Sequence, residues 1–281
     1  MIFYFSGTGN TRWAAFMVAS ATHDRLTDIA EEMRTMKEQG ASATRTFVLE
    51  PGERLGFIFP VHGWRVPRLV RDFIGRLQLK RKEGQLQDSE MPRGTFAYAV
   101  CTAGDSIGLT IENLDTTIAA NDNLCAMGIR KVASAYSLIM PESYVGLPFM
   151  DVDTKEKEKL KKDRAAHALD SIVMEIAGRK EGIFRLTKGF WPWMMTKVVG
   201  GFFEHVLITD KRFHVTRDKC VKCGICANVC PVQDIDGGKG KYPAWKHLPD
   251  CLTCFSCYHH CPHHAIEFGH QTQKKGQYYY R

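Results

Sequence analysis

The sequence lacks a hydrophobic run long enough to cross a lipid bilayer. Its longest aromatic stretch, residues 189–203, is interrupted by Pro192 and Lys197 and is shorter than the roughly 20 apolar residues that a spanning helix needs. The first residues, MIFYF, also lack the basic flank and apolar core of a secretory signal. We therefore expect no membrane span, no export and a cytoplasmic location.

Cysteine is nearly absent from most of the chain. Of the 10 cysteines, eight lie between Cys220 and Cys261, and only Cys101 and Cys125 lie elsewhere. A disulfide framework is typical of short secreted chains, whereas this clustering favours metal ligation in a reducing compartment.

The chain also lacks a recognisable nucleic-acid-binding motif. Its formal charge is +7, but the basic residues are scattered along the sequence. A bound phosphate ester and two cysteine-ligated clusters would each add about two negative charges, which brings the loaded protein close to neutrality. We therefore expect no nucleic-acid partner.

Short apolar runs alternate with helical patterns over residues 1 to 180. Apolar residues recur at helical spacing after Pro67 and again at Ile111, Leu114 and Ile118. The strand candidates are residues 2–5, 46–49, 55–59, 95–100 and 132–139. This alternation predicts an α/β fold with an open, five-stranded parallel sheet that is covered on both faces.

The rest of the chain divides into two parts. Residues 181–210 carry many aromatic side chains among glycines and lysines. They form a connector that wedges two domains together, walls a substrate pocket or touches a membrane surface. Residues 211–281 contain the cysteine-rich segment and form a second, small domain. The expected division is therefore 1–180, 181–210 and 211–281.

The stretch SGTGNT, residues 6–11, follows the first strand candidate and precedes a helix. Glycine-rich turns in this position bind phosphate, because backbone amides and the helix N-terminus point at the anion. A dinucleotide fingerprint would need a third glycine where Arg12 stands, and a Walker loop would need Gly-Lys-Ser/Thr, which is absent. An ordinary capped turn between strand and helix is the alternative.

This turn resembles the FMN-phosphate loop of the flavodoxins, whose pattern Ser/Thr-x-Thr-Gly-x-Thr it meets in full. The resemblance implies a flavodoxin-like, doubly wound domain in which neutral hydroxyls and amides hold the phosphate. The residues that it assigns to FMN here are Ser6, Gly7, Thr8, Gly9, Asn10 and Thr11.

Flavodoxins hold the flavin ring with loops after the third and fourth strands, at the carboxyl edge of the sheet. The resemblance therefore assigns two more sets to FMN: Pro60, Val61, His62, Gly63 and Trp64, and Thr102, Ala103, Gly104 and Asp105. Trp64 is suited to stacking on the ring. Where flavodoxins usually carry a second aromatic residue, this chain has Ile107 and Leu109, which would leave room for another molecule.

Two runs, residues 220–231 and 251–262, fit C-x2-C-x2-C-x3-C-P, the signature of bacterial ferredoxins with two 4Fe-4S clusters. In that family the fourth cysteine of each run ligates the other run's cluster. The resemblance thus implies one set of ligands, Cys220, Cys223, Cys226 and Cys261, and a second, Cys251, Cys254, Cys257 and Cys230. Zinc is the competing interpretation, but structural zinc needs four ligands rather than two runs of four.

The whole chain resembles the flavodoxin-ferredoxin fusions of anaerobic bacteria and archaea. MPESY at residues 140–144 and KKGQYYYR at residues 274–281 are similar to segments of that family. The resemblance implies FMN and two 4Fe-4S clusters as cofactors, and a small ferredoxin-like α+β second domain. It implies no particular substrate.

An iron-sulfur cluster transfers single electrons, whereas FMN accepts one or two. We therefore expect a reductase that takes electrons from a low-potential donor, a ferredoxin or a reductase, and reduces a small organic acceptor. Tyr144 is the candidate catalytic residue beside the flavin. His62, Arg65 and Arg68 would add positive charge, which favours two-electron reduction. The alternative is that these arginines face solvent or pair with carboxylates on the neighbouring helix. The alternatives are an electron carrier between larger redox enzymes, with no substrate of its own, and a redox sensor.

Overall fold

The computed structural model describes residues 1–40, 43–82 and 94–280. Its strands are β1 (Ile2–Tyr4), β2 (Leu26–Asp28), β3 (Arg45–Leu49), β4 (Leu55–Pro60), β5 (Leu77–Arg81), β6 (Ala97–Ala103), β7 (Ser134–Ile139), β8 (Phe184–Arg185), β9 (Phe213–Val215), β10 (Ile235–Gly238), β11 (Lys241–Trp245) and β12 (Ile266–Phe268).

The helices are α1 (Asn10–Thr22), α2 (Ile29–Gln39), α3 (Arg68–Arg76), α4 (Thr110–Ala119), α5 (Asp122–Ala126), α6 (Lys155–Ala177), α7 (Pro192–Met194), α8 (Gly200–Phe202), α9 (Ile225–Asn228) and α10 (Ser256–His259). The π-helical turns Met195–Val199 and Phe203–Leu207 follow α7 and α8. Residues 192–207 are thus one helical segment, which we call the connector helix. Within the described ranges, no helix is both long and apolar enough to cross a membrane.

Six parallel strands form the main sheet, in the order β2-β1-β4-β6-β7-β8. The order reverses at β1, so the crossover connections leave β1 and β4 in opposite directions. In doubly wound sheets this switch point is where ligands bind, beyond the carboxyl ends of the strands. The sheet is compatible with a Rossmann-like or flavodoxin-like domain.

The main sheet has six strands rather than the predicted five. It also lacks one of the predicted strands and contains two that were not predicted. The candidate at residues 46–49 is strand β3, but it pairs in parallel with β5 in a separate two-stranded sheet. Strands β2 and β8 occupy the two edges of the main sheet, and they contain only three and two residues. Strands this short show no alternation that a sequence pattern could reveal.

Helices cover both faces of the main sheet, as predicted. On one face α1 and α6 pack Val18 and Leu169 against the central strands, and on the other α3 and α4 pack Phe73 and Leu114. All four side chains are buried. Each such side chain contributes about 1.5–3 kcal/mol through the area that it removes from water.

The cysteine-rich segment forms a smaller unit with two antiparallel pairs, β9 with β12 and β10 with β11. Its apolar core contains Phe213, whose ring stacks on Trp245 at 5.6 Å, together with Phe255 and Phe268. A unit of this size buries little apolar surface, so metal ligation would add to its stability.

The two units pack against each other. Leu252 of the cysteine-rich unit joins the core beneath the main sheet, and Val145, from the loop after β7, joins the core of the cysteine-rich unit. The buried His259 contacts the Ser143 carbonyl through Nε2 at 2.7 Å. These contacts place the cysteine-rich unit over the carboxyl edge of the main sheet.

Candidate functional site

A cavity of about 320 Å³ lies at the carboxyl edge of the main sheet. This volume is in the range of small-molecule and cofactor sites. The sequence-predicted residues that line it are Ser6, Gly7, Thr8, Asn10, Thr11, Pro60, Val61, His62, Gly63, Trp64, Thr102, Ala103, Gly104, Asp105 and Tyr144. The structure therefore brings together all of the predicted FMN residues except Gly9.

The loop between β1 and α1 is held by its own hydroxyl groups. The amide of Gly9 donates to Ser6 Oγ at 3.1 Å, and the Thr11 and Thr102 hydroxyls lie 2.7 Å apart. Gly9 has a φ of 94°, which a residue with a side chain rarely adopts. A Cβ at Gly9 would lie 2.9 Å from Tyr280 Cβ, so this glycine faces the C-terminal segment rather than the cavity.

The segment around residues 278–280 covers this loop from outside. Tyr278 donates its hydroxyl hydrogen to Asn10 Oδ1 at 2.5 Å, and the Tyr280 amide donates to the Thr8 carbonyl at 2.8 Å. The Tyr280 ring also stacks on Trp13 at 5.5 Å. The loop is therefore fixed by residues from the far end of the sequence.

The cavity wall offers neutral donors to an anion. Helix α1 has no acidic residue in its first turn and no side-chain cap, so its N-terminal amides are available. Among the described residues that line the cavity there is no lysine or arginine. Arg12 is exposed and lies over the Phe16 ring at 5.4 Å. A phosphate here would be bound by hydroxyls and backbone amides.

A tight turn after β4 presents Trp64 to the cavity. His62 and Arg65 exchange two backbone hydrogen bonds of 3.1 Å, and the residues between them, Gly63 and Trp64, have φ values of 55° and 58°. A tryptophan in the left-handed region is strained, and such strain is concentrated at functional sites. Its Nε1 donates to Ser106 Oγ at 3.0 Å, which fixes the indole at the cavity wall.

Of the two alternatives for the basic residues near this turn, pairing with a carboxylate is the one found for Arg65. Burial lowers the pKa of His62 to about 4, which leaves its imidazole neutral at neutral pH. Arg65 pairs with Glu204 of the connector helix at 2.8 Å, and Arg71 pairs with the same carboxylate. Neither Arg65 nor Arg68 lines the cavity.

Glu142 is a site residue that the sequence analysis missed. Its carboxylate accepts hydrogen bonds from the amides of Ser143 at 2.9 Å and Tyr144 at 2.8 Å. It packs directly against Gly104, where a Cβ would overlap it. Burial raises the pKa of Glu142. The sequence MPESY contains this residue, but no local signal marks it as buried.

Tyr144 lies where the main sheet, the connector helix and the cysteine-rich unit meet. Its ring centroid is 5.2 Å from that of Phe203 and 5.4 Å from that of Phe255. Burial raises the pKa of Tyr144 to about 12, so its hydroxyl is protonated at neutral pH. The side chain lines the cavity, in keeping with the predicted position near a ligand.

The connector helix and the loop after β7 form an apolar wall of the cavity. The residues that they contribute are Val199, Phe202, Phe203 and Leu207, and Leu147, Phe149 and Met150. The helix approaches closely because Gly63 has no side chain: a Cβ there would lie 2.6 Å from the Phe203 ring. Of the roles considered for the connector, walling a pocket is therefore consistent with its position.

The eight clustered cysteines line two further cavities. One contains Cys220, Cys223, Cys226 and Cys261, and the other contains Cys230, Cys251, Cys254 and Cys257. These groups coincide with the two predicted ligand sets. The amides of Asp234 and Ala265 donate to Cys230 Sγ at 3.3 Å and Cys261 Sγ at 3.2 Å, as is common for cluster thiolates. The individual ligand assignments stay predictions.

Cys254 belongs to two cavities at once. It lines the second cysteine cavity and also the large cavity at the sheet edge. A Cβ at Gly7 would lie 3.2 Å from Cys254 Cβ, so the absence of a side chain at Gly7 permits this approach. The cysteine-rich unit and the loop after β1 are therefore in direct contact.

Comparison with known proteins identifies one part of the chain. Residues 213–262 match the 4Fe-4S dicluster domain family. The delta subunit of NADH-dependent phenylglyoxylate dehydrogenase from Aromatoleum evansii is 42% identical over 50 residues, which cover 17% of this chain and 50% of the relative. A ferredoxin from Megasphaera elsdenii is 55% identical over 29 residues, which cover 10% of this chain and 54% of the ferredoxin. A ferredoxin from Thermoanaerobacterium thermosaccharolyticum is 52% identical over 29 residues, which cover 10% of this chain and 53% of the ferredoxin.

The chain thus spans about half the length of the curated relatives that it matches. No solved structure matches it. A 4Fe-4S dicluster ferredoxin domain is present, and this domain indicates electron transfer.

Proposed function

We propose that this chain is an FMN- and 4Fe-4S-dependent reductase of a small organic acceptor. In this proposal residues 1–180 form the domain that binds FMN, and residues 211–281 form the domain that holds two 4Fe-4S clusters. Residues 181–210 connect these two domains. One observation carries the proposal: the large cavity is lined by the phosphate-type loop, by both predicted ring loops and by Cys254.

The residues present fit FMN. The hydroxyls of Ser6, Thr8 and Thr11 and the amides that begin α1 would hold the phosphate, and Trp64 would contact the ring. When bound, FMN accepts one or two electrons and 4Fe-4S clusters transfer single electrons, so the two together join one-electron to two-electron chemistry.

The cysteine sets define an entry and an exit for electrons. In the first set Cys223 is exposed, and the neighbouring Val221 is also exposed. A low-potential donor, a ferredoxin or a reductase, would dock at this surface. Cys254, in the second set, contacts Gly7 at the large cavity. The proposed path therefore ends beside the FMN residues.

An organic acceptor would occupy the apolar part of the cavity. Phe203 and Leu207 exclude water there, which strengthens electrostatic interactions at the site. The Tyr144 hydroxyl holds a proton at neutral pH and would donate a hydrogen bond to an acceptor oxygen or nitrogen. Glu142 would keep the loop at Gly104 in place.

The alternative function is an electron carrier without its own substrate. A specific observation favours it: the charged side chains of the cavity wall are the carboxylates of Asp105 and Glu142, with no lysine or arginine among the described lining residues. Carboxylates near FMN oppose its anionic reduced form, which lowers the potential as carriers require.

The first test is reconstitution under anoxic conditions with FMN, iron and sulfide. We expect bound FMN and two 4Fe-4S clusters in the full chain. Thr8→Val should raise the Kd for FMN on the order of 10-fold, because it removes a hydrogen bond to a charged group, and should leave riboflavin affinity unchanged. Thr35→Val, on the exposed side of α2, is the matched control.

The second test separates reductase from carrier. Reduced protein is mixed with quinones, nitro compounds and azo compounds, and turnover is followed against acceptor concentration. Saturable turnover that Tyr144→Phe slows supports the reductase. Electron delivery to redox proteins alone supports the carrier, and protein that takes up zinc but no FMN contradicts both.

A further inference from the structure

The outward side of the connector is apolar and uncovered. Six large apolar side chains within 17 residues are more than half exposed: Phe190 (92%), Trp191 (72%), Trp193 (63%), Val198 (56%), Phe202 (57%) and Val206 (54%). We call this set the aromatic face. Large exposed apolar side chains concentrated in one short segment indicate a site of contact with a protein or a membrane.

The inward side of the same helix is already used. Thr196 Oγ1 accepts a hydrogen bond from the Leu109 amide at 2.8 Å, and Gly200 packs directly against the Gly63 carbonyl. The side of the helix that packs on the fold thus carries Thr196, Gly200 and Glu204, and the aromatic face lies on the opposite side. Folding of the chain covers one side only, so the aromatic face requires a partner outside the fold.

The charges around the aromatic face identify that partner. Lys197 and His205 are exposed on this segment. The carboxylate of the segment, Glu204, is turned inward to Arg65 and Arg71. The face thus presents tryptophan, phenylalanine and the lysine Lys197, without an outward carboxylate between residues 190 and 207. This combination matches the headgroup region of a membrane with anionic lipids, where Trp is enriched and Lys is attracted.

We propose that the aromatic face rests on the surface of a lipid bilayer that contains anionic lipid. The connector helix lies in the interface and does not cross the membrane. Phe202 belongs to the aromatic face and also lines the large cavity, and Phe149 lines the cavity and is 82% exposed. The aromatic face and the wall of the large cavity therefore share Phe202. This proposal rests on the surface itself and holds whichever cofactor the cavity binds.

The test uses the full chain with its clusters, prepared under anoxic conditions. It is sedimented with vesicles of phosphatidylcholine alone and of phosphatidylcholine mixed with phosphatidylglycerol. We expect binding to the mixed vesicles, with a blue shift of tryptophan emission. The double variant Phe190→Ser with Trp193→Ser should bind at least about 10-fold more weakly, because both side chains leave the interface.

The matched control is the double variant Phe16→Ser with Met174→Ser, which removes two exposed apolar side chains from α1 and α6. It should bind as the unmodified chain does. Lys197→Gln should weaken binding to the mixed vesicles and leave binding to phosphatidylcholine unchanged. Cluster absorbance reports whether each variant is folded.

Three results would overturn the proposal. The first is no binding to either vesicle by folded protein. The second is equal loss of binding in the control double variant. The third is a dimer of the unmodified chain, measured by light scattering, that becomes a monomer in Phe190→Ser with Trp193→Ser, because the aromatic face would then be covered by a second copy.

Discussion

At Gly104, the absence of a side chain makes room for a half-buried carboxyl group. A methyl group here would overlap the Glu142 carboxylate, which is held by two backbone amides. We expect Gly104→Ala to lower the free energy of unfolding by about 1–3 kcal/mol, as overpacking does, and to weaken FMN binding. Urea unfolding and FMN titration measure the two effects.

Gly75 in α3 provides the control, because no other atom lies within 4 Å of a Cβ built there. Gly75→Ala should be neutral or stabilising by up to about 1 kcal/mol, since alanine is the better helix former. Equal stability of the two variants would contradict the close packing described for Gly104.

Glu142 also gives the protein a pH dependence. Burial raises its pKa above the usual 4.5. A carboxyl group with a raised folded-state pKa contributes stability that is present below its unfolded pKa and is lost as the pH rises through the folded pKa. Glu142→Gln should remove this loss, so the variant should gain stability relative to the unmodified chain as the pH rises from the unfolded-state pKa, about 4.3, through the raised folded-state pKa.

The measurement is the urea midpoint at several pH values under anoxic conditions. The exposed Glu181→Gln serves as the control and should follow the unmodified chain. If Glu142→Gln and the unmodified chain change in parallel with pH, the buried position of Glu142 is wrong.

Sequence patterns identify some residues of the site and not others. Ser6, Thr8 and Thr11 follow from a local pattern of hydroxyls and glycine, and the structure places all three at the cavity. No local sequence pattern identifies Glu142, because the room for its carboxyl group depends on Gly104, which is distant in sequence. For Arg65 the sequence left two alternatives open, a role at FMN or pairing with a carboxylate, because its partner Glu204 lies 139 residues away in the connector helix.

At the scale of elements, two adjacent glycines in the connector helix provide a matched pair. Gly200 packs against the Gly63 carbonyl, which is part of a rigid turn, whereas a Cβ at Gly201 would lie 3.3 Å from the flexible end of Arg65. We expect Gly200→Ala to cost about 1–3 kcal/mol and Gly201→Ala to change stability by less than about 0.5 kcal/mol.

Thermal unfolding followed by circular dichroism measures this difference. Because the connector helix closes the cavity, Gly200→Ala should also weaken FMN binding. If both alanine variants have the same stability, the helix does not pack against the turn after β4 as described.

Long strands were predictable and short ones were not. Strands β4 and β6 are buried apolar runs of six and seven residues, and both were expected from the sequence. The assignment of residues 46–49 to the main sheet failed for a different reason. A strand's sequence shows that it is extended, but its partner, here β5, is chosen by the packing of the whole sheet.

At the scale of the whole molecule, the two units are joined through the loop between β1 and α1. Tyr278→Phe removes the hydrogen bond to Asn10 Oδ1 and should weaken FMN binding by about 5-fold, which corresponds to about 1 kcal/mol. Tyr242→Phe, at an exposed position in β11, should have no effect. FMN titration measures affinity, and unchanged cluster absorbance shows that the second unit remains intact.

Equal FMN affinity of the Tyr278→Phe and unmodified chains would mean that residues 278–280 cover the loop without restraining it. No sequence pattern predicted this contact. The tyrosine-rich tail is polar and aromatic in composition, and only the packed arrangement of the two units brings it to residues 6–11.

The partners Tyr278 and Asn10 are separated by 268 positions. During synthesis Asn10 therefore leaves the ribosome 268 residues before Tyr278 does. The sheet can therefore form on a nascent chain in which the loop between β1 and α1 is not yet covered. Closure of that loop by Tyr278 and Tyr280 therefore follows the synthesis of the cysteine-rich unit.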